Sequence, residues 1–152
     1  MKIVAKTDVG MVRESNQDSY TTGELPNGVA WAVVCDGMGG AAGGNVASST
    51  AVKVIAEQIT SSFRPGMSAN SIKNMMVSAI NAANISVYDI SCSNSELYGM
   101  GTTVVCAIVM EHIAYIAHAG DSRAYIVSHG ALTQLTRDHS VVQELVEHGK
   151  IT

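Results

Sequence analysis

Val33-Val34-Cys35-Asp36-Gly37-Met38-Gly39-Gly40 places a carboxylate at the end of an apolar run and follows it at once with a glycine-rich turn. Residues 29–35 read as a buried strand, and a rigid strand end holds Asp36 still. Gly37, Gly39 and Gly40 let the chain turn sharply and bring its backbone close to a ligand. Asp-Gly is also ordinary turn chemistry, so the stretch takes its meaning from what surrounds it.

Upstream, residues 2–7 form a strand candidate around the β-branched pair Ile3-Val4. Residues 8–18 are polar, without clear periodicity, and read as a structured loop. Residues 19–22 are a brief strand, and residues 23–28 a turn marked by Pro26-Asn27-Gly28. Downstream, a helix opens over residues 41–45. Val52, Ile55, Ile59 and Phe63 give it one apolar face, and Arg64-Pro65-Gly66 ends it. A second helix starts near residues 68–71, with a stripe of Ile72, Met76, Ala79, Ala83, Val87 and Ile90. Residues 91–101 read as a polar loop.

The pattern then becomes β. Residues 102–110 are nearly continuously apolar and read as a strand buried on both faces. Residues 113–119 return after Glu111-His112, and Gly120-Asp121-Ser122 is a break. Residues 123–128 and 131–135 are short strands around His129-Gly130. Ser140, with Gln143 three residues on, has a capping-box arrangement for a short helix carrying Val141, Val142, Leu145 and Val146. Strands, two helices, then strands predict an α+β fold, with helices packed on an antiparallel sheet or on a sandwich of two sheets.

The chain has 152 residues and a formal net charge of −4, the size of one domain with a substantial core. Its mildly acidic balance argues against nucleic acid as a partner. No apolar run reaches membrane-spanning length, no signal peptide is evident, and a cytoplasmic setting is expected. The three cysteines, Cys35, Cys92 and Cys106, show no CxxC spacing; Cys35 and Cys106 lie in apolar runs and read as buried thiols.

Asp8, Asp18, Asp36 and Asp121 sit in loops next to strand-like runs, with no matching His or Cys cluster. All-oxygen donors suit Mg²⁺ or Mn²⁺ rather than zinc. Arg13 is a candidate phosphate clamp, because its planar fork pairs two oxygens at once. An exposed arginine paired with a neighbouring acidic residue fits the same spacing.

Thr7-Asp8-Val9-Gly10-Met11-Val12-Arg13-Glu14-Ser15-Asn16-Gln17-Asp18 resembles the opening motif of the PPM family, the metal-dependent protein phosphatases also called protein phosphatase 2C-like. Four further matches follow in the family's order. They are Val34-Cys35-Asp36-Gly37-Met38-Gly39-Gly40, Gly99-Met100-Gly101-Thr102-Thr103, His118-Ala119-Gly120-Asp121-Ser122-Arg123 and Leu135-Thr136-Arg137-Asp138-His139-Ser140. The form is closest to bacterial members.

The resemblance implies a serine/threonine phosphatase with an antiparallel β-sandwich flanked by helices and two core Mn²⁺ or Mg²⁺ ions. Asp36 matches the aspartate that bridges the metals, Gly37 the residue that offers a backbone carbonyl, and Asp18 the acidic residue that supports metal-held waters. Arg13 matches the phosphate-binding arginine and Asp121 the aspartate of a third, weaker metal site. Phosphorylated proteins, substrates of a serine/threonine kinase, are the implied partners.

Two features depart from the family. Met38 stands where some members carry a histidine proposed as general acid, and none of the five histidines clearly replaces it. His139 reads as a structural hydrogen-bonder, His112, His129 and His148 as turn or helix-surface residues, and His118 as a strand residue. The family's later Ser-Asp-Gly-like and Asp-Asn-like motifs, each with a metal-ligating aspartate, have no counterpart after Asp121. The 152 residues therefore read as the N-terminal portion of a phosphatase domain, with the sandwich incomplete, activity impaired and self-association expected through the open sheet. The other reading is a non-catalytic fragment that binds phosphoprotein or a partner.

Overall fold

The computed structural model of the chain describes residues 1–140. β2 (Val29–Met38) is the strand about which the rest is arranged. It pairs antiparallel with β1 (Asp18–Leu25) on one side and β4 (Val104–Met110) on the other. β5 (Ile113–Ala119) extends the sheet beyond β4, and the two-residue β3 (Gly101–Thr102) pairs with the Gly37-Met38 end of β2. β6 (Tyr125–Ser128) and β7 (Ala131–Gln134) form a separate antiparallel hairpin. The architecture is α+β, with antiparallel sheets and two long helices, α1 (Gly40–Ser62) and α2 (Ala69–Ser93).

Side chains alternate across a strand, and β2 uses that alternation to divide labour. Trp31, Val33 and Cys35 are buried, while Val34 and Asp36 between and beyond them are exposed. Cys106 and Ile108 of β4 continue the buried face. Ile55 and Ile59 of α1, and Ile72 and Met76 of α2, complete the core. Removing water from an Ile side chain contributes about 1.5–3 kcal/mol, so these residues bind the helical layer to the sheet. Their registration sets the position of everything on the other face.

Both helices follow their predicted stripes. Val52, Ile55 and Ile59 are buried on α1 and Phe63 just past its end; Ile72, Met76, Ala79, Ala83 and Val87 are buried on α2, with Ile90 half-buried. Ser68 caps α2 by accepting a hydrogen bond from the Ser71 N–H at 3.1 Å.

Several sequence-based boundaries change. Residues 2–7 form no strand, because no described strand offers them a ladder; Ile3 and Val4 instead lie beside Ala32 and Val34. α2 runs on to Ser93, past the predicted start of the polar loop. Ser91 is buried there, donates to the Leu97 carbonyl at 3.1 Å and accepts from the Gly99 N–H at 3.0 Å. It anchors the loop rather than belonging to it.

The apolar run of residues 102–110 is interrupted at Thr103. Only its Val104, Cys106 and Ile108 face is buried, and Val105, Ala107 and Val109 are half-buried. β6 begins at Tyr125 rather than at residue 123, because Arg123 is drawn to Asp138. The short helix expected after Ser140 lies outside the described residues.

Candidate functional site

The end of β2 is held from three directions. The Asp36 N–H donates to Thr103 Oγ1 at 3.0 Å, and the Thr103 N–H donates back to the Asp36 carbonyl at 2.9 Å. Thr102 Oγ1 donates to the same carbonyl at 2.9 Å. On the opposite side the Gly37 N–H donates to the Gln17 carbonyl at 3.1 Å, and the Ser48 hydroxyl of α1 donates to it at 2.7 Å. Gln17 Nε2 reaches the Gly40 carbonyl at 2.6 Å. Gly37 and Gly44 pack backbone to backbone, so that a Cβ on Gly37 would fall on the Gly44 carbonyl. These contacts leave the Asp36 carboxylate exposed on a backbone with little freedom to move.

Asp18 lies directly opposite Asp36 in the β1–β2 register. The Asp36 carboxyl is held above its ordinary value, first by partial desolvation and then by the charge and hydrogen bonding of Asp18. Asp121 adds to the upward push, and the Arg13 guanidinium opposes it. Arg13, Asp18, Asp36 and Asp121 therefore share one electrostatic neighbourhood, although they come from a loop, two strands and a second loop. Asp8 does not join them: its Oδ1 accepts from the Gly10 N–H at 2.8 Å and closes a local turn. Asn16 does similar work, accepting from the Asp18 N–H at 3.0 Å.

The Asp121 loop has its own supports. Thr103 Oγ1 and Ser122 Oγ are 2.6 Å apart. Gly120, at φ +101°, packs on Thr103, where a Cβ would come within 2.8 Å of the threonine methyl. The His139 N–H donates to the Gly120 carbonyl at 2.9 Å. The His139 ring stacks on His118, with centroids 4.4 Å apart. His118 Nε2 donates to the Arg137 carbonyl at 2.7 Å. Arg123 grips Asp138 through Nε at 2.9 Å and Nη2 at 2.7 Å, a two-pronged pair that fixes the segment following β7.

The donor set fits a hard divalent cation in part. Two carboxylates face each other, a third acts at longer range, and the Gly37 backbone lies alongside. Among the described residues, no three acidic, imidazole or thiol side chains meet closely enough to enclose an ion alone. Mg²⁺ and Mn²⁺ suit oxygen ligands, and Mg²⁺ commonly keeps several waters beside one or two carboxylates. A cation near Asp36 would also offset the charges of Asp18 and Asp121, which add to desolvation in raising its carboxyl.

Cys35 is buried beside Asp36, and burial pushes its thiol up to about 12. It is protonated at neutral pH and cannot serve as a nucleophile. Met38, in the position after Asp-Gly, is exposed and supplies no acid. Gln17, Ser48, Thr102, Thr103 and Ser122, which carry no charge, are the residues that hold this framework together. A sequence signal was present for one of them: Ser48 continues the buried stripe of Val52, Ile55 and Ile59 on α1.

The family model for Protein phosphatase 2C matches residues 12–147, and the chain belongs to that family. It is 36% identical over 147 residues to the serine/threonine phosphatase stp of Listeria monocytogenes, covering 97% of this chain and 58% of that protein. The serine/threonine phosphatase of S. agalactiae superimposes with a TM-score of 0.87 at 34% identity, over 97% of this chain and 60% of that one. The catalytic domain of the serine/threonine protein phosphatase PstP, solved in complex with two manganese ions, gives 0.78 at 33% identity, with the same coverages of 97% and 60%. The chain thus spans about three fifths of the length of each of these three relatives.

Proposed function

We propose that this chain forms the Asp36-centred part of a metal-dependent protein phosphatase acting on phosphoserine and phosphothreonine. The observation that supports this most is the pairing of Asp18 with Asp36, with Arg13 and Asp121 acting on the same carboxyl. Asp36 and the Gly37 carbonyl would hold Mn²⁺ or Mg²⁺, with Asp18 orienting the waters around them and Asp121 serving a third ion. Bound ions of this kind supply an activated water and offset charge on the attacking and leaving oxygens.

The chain's own residues do the rest. Arg13 receives the phosphoryl oxygens with its planar fork and turns the phosphorus toward the carboxylates. The Asp36 backbone, fixed by Thr102 and Thr103, keeps its carboxylate in place while charge develops. Cys35, next to Asp36, takes no part as a nucleophile, because burial keeps it protonated.

The substrates proposed are proteins modified by a serine/threonine kinase. Among the described residues no helix is long and apolar enough to cross a membrane. A cytoplasmic setting suits the free, buried Cys35 and Cys106. The sheet face bearing Tyr20 and Val34 is open enough to support self-association, which sedimentation at increasing concentration would detect as a rising mass.

The test of the central reading is phosphate release from a phosphothreonine peptide by a whole phosphatase carrying this chain's sequence, with Mn²⁺, Mg²⁺ or a chelator. Release that needs the ion and is lost in Asp36→Asn supports it. Release that survives chelation and Asp36→Asn, or no release with either ion, counts against it.

A further inference from the structure

We propose that Thr103 is a positioning residue that couples the end of β2, carrying Asp36, to the loop carrying Asp121, and so fixes the spacing of the two carboxylates. The inference rests on the metal-site reading and deepens it.

Thr103 is 2% exposed, and its backbone N–H and hydroxyl are both directed at these two elements, while its carbonyl accepts from Thr102 Oγ1. Its backbone N–H and its hydroxyl engage the carbonyl and the N–H of Asp36, at 2.9 and 3.0 Å. One residue, through its backbone N–H and its hydroxyl, thus brackets both polar backbone groups of Asp36. The same hydroxyl lies 2.6 Å from Ser122 Oγ, next in sequence to Asp121. The methyl group faces the other way into the coupling: Gly120 packs on it so closely that a Cβ there would reach 2.8 Å.

A buried threonine could instead stabilise the fold and nothing more. That role would lower melting temperature but leave the folded fraction binding ions as before. A coupling role makes ion affinity depend on the hydroxyl itself, because loosening the residues that orient a ligand typically weakens metal affinity about 10- to 100-fold. Residues in one hydrogen-bonded chain also show non-additive effects when both are changed.

The experiment measures free Mn²⁺ by electron paramagnetic resonance during titration of the 152-residue chain. The variants are Thr103→Val, Thr103→Ser, Ser122→Ala, the Val/Ala double and Asp36→Asn. Circular dichroism establishes the folded fraction of each. Thr103→Val should weaken binding about 10-fold or more. Ser122→Ala should weaken it too, the double should be no worse than Thr103→Val, and Thr103→Ser should restore most of the affinity. Unchanged Mn²⁺ affinity in folded Thr103→Val, or strictly additive losses in the double, overturns the coupling. If Thr103→Val does not fold, Ser122→Ala decides alone, and unchanged affinity there overturns it. Identical titrations for the unaltered chain and Asp36→Asn would instead overturn the metal-site reading beneath it.

Discussion

Asp18 and Asp36 stand directly opposite each other across the β1–β2 ladder, two carboxylates where a sheet ordinarily avoids like charges. The arrangement costs stability when no cation is bound. Asp36 is held above its ordinary value in the folded chain, so the folded state keeps a proton that the unfolded state gives up. The stability of the metal-free chain should therefore fall as pH rises from the ordinary carboxylate range through the raised value. Asp36→Asn removes the penalty. Exposed charge pairs are worth up to about 1 kcal/mol, so its melting temperature at neutral pH should rise by no more than about 2–4 °C. A lower melting temperature for Asp36→Asn without divalent ions would contradict this.

Gly37→Ala tests the closeness of β2 and α1. The added methyl would overlap the Gly44 carbonyl, with backbone on both sides and no flexible side chain to yield. The expected loss is about 1–3 kcal/mol or more, read from urea unfolding. Gly66→Ala is a useful contrast. Nothing stands within 4 Å of a Cβ there, and its cost is the backbone strain of φ +83° alone.

The three thiols should separate cleanly in a reaction with a disulfide reagent. Cys92 is exposed and should react at once in the native chain. Cys35 and Cys106 are buried, each pushed up to about 12 by that burial, and should react only on unfolding. Rapid modification of Cys35 in the folded chain would mean that β2 is less tightly covered than described.

Asp138 titrates in the opposite sense to Asp36. The hydrogen bond from Arg123 holds its carboxyl below the usual range. A lowered folded value gives a stabilisation that is present above the unfolded value and lost as pH falls through the folded one. Asp138→Asn should be less stable than the unaltered chain near neutral pH, and the gap should close as the solution is acidified. A gap that stays constant with pH would show that Arg123 draws nothing from the charge of Asp138.

The helices were legible because their apolar residues recur at a period the chain cannot hide: Ile55, Ile59, Ile72 and Met76 all face the core. The strand carrying Asp36 was legible from its apolar run, but β2 continues through the Asp-Gly pair to Met38, because Gly37 and Met38 pair with Thr102 and Gly101 where the sequence reads as a turn. Residues 2–7 misled because β-branched residues mark strand preference but supply no partner to pair with. The last three residues of α2 were hidden by serines, whose polarity suggests a loop until Ser91 is seen binding Leu97 and Gly99. Around Asp36, the charged residues stood out in sequence, whereas the neutral residues that hydrogen-bond to its backbone did not. Thr103 and Ser122 are 19 positions apart, and only the fold shows that their hydroxyls meet.

The most direct single measurement is a ¹⁵N-resolved spectrum of the chain with substoichiometric Mn²⁺, whose unpaired electrons broaden nearby amides. Broadening first at Asp18, Asp36 and Gly37, then at Asp121, and lost in Asp36→Asn, is the expected result. Broadening centred elsewhere, such as on Asp138 or Asp8, or persisting unchanged in Asp36→Asn, would contradict a metal site at the end of β2.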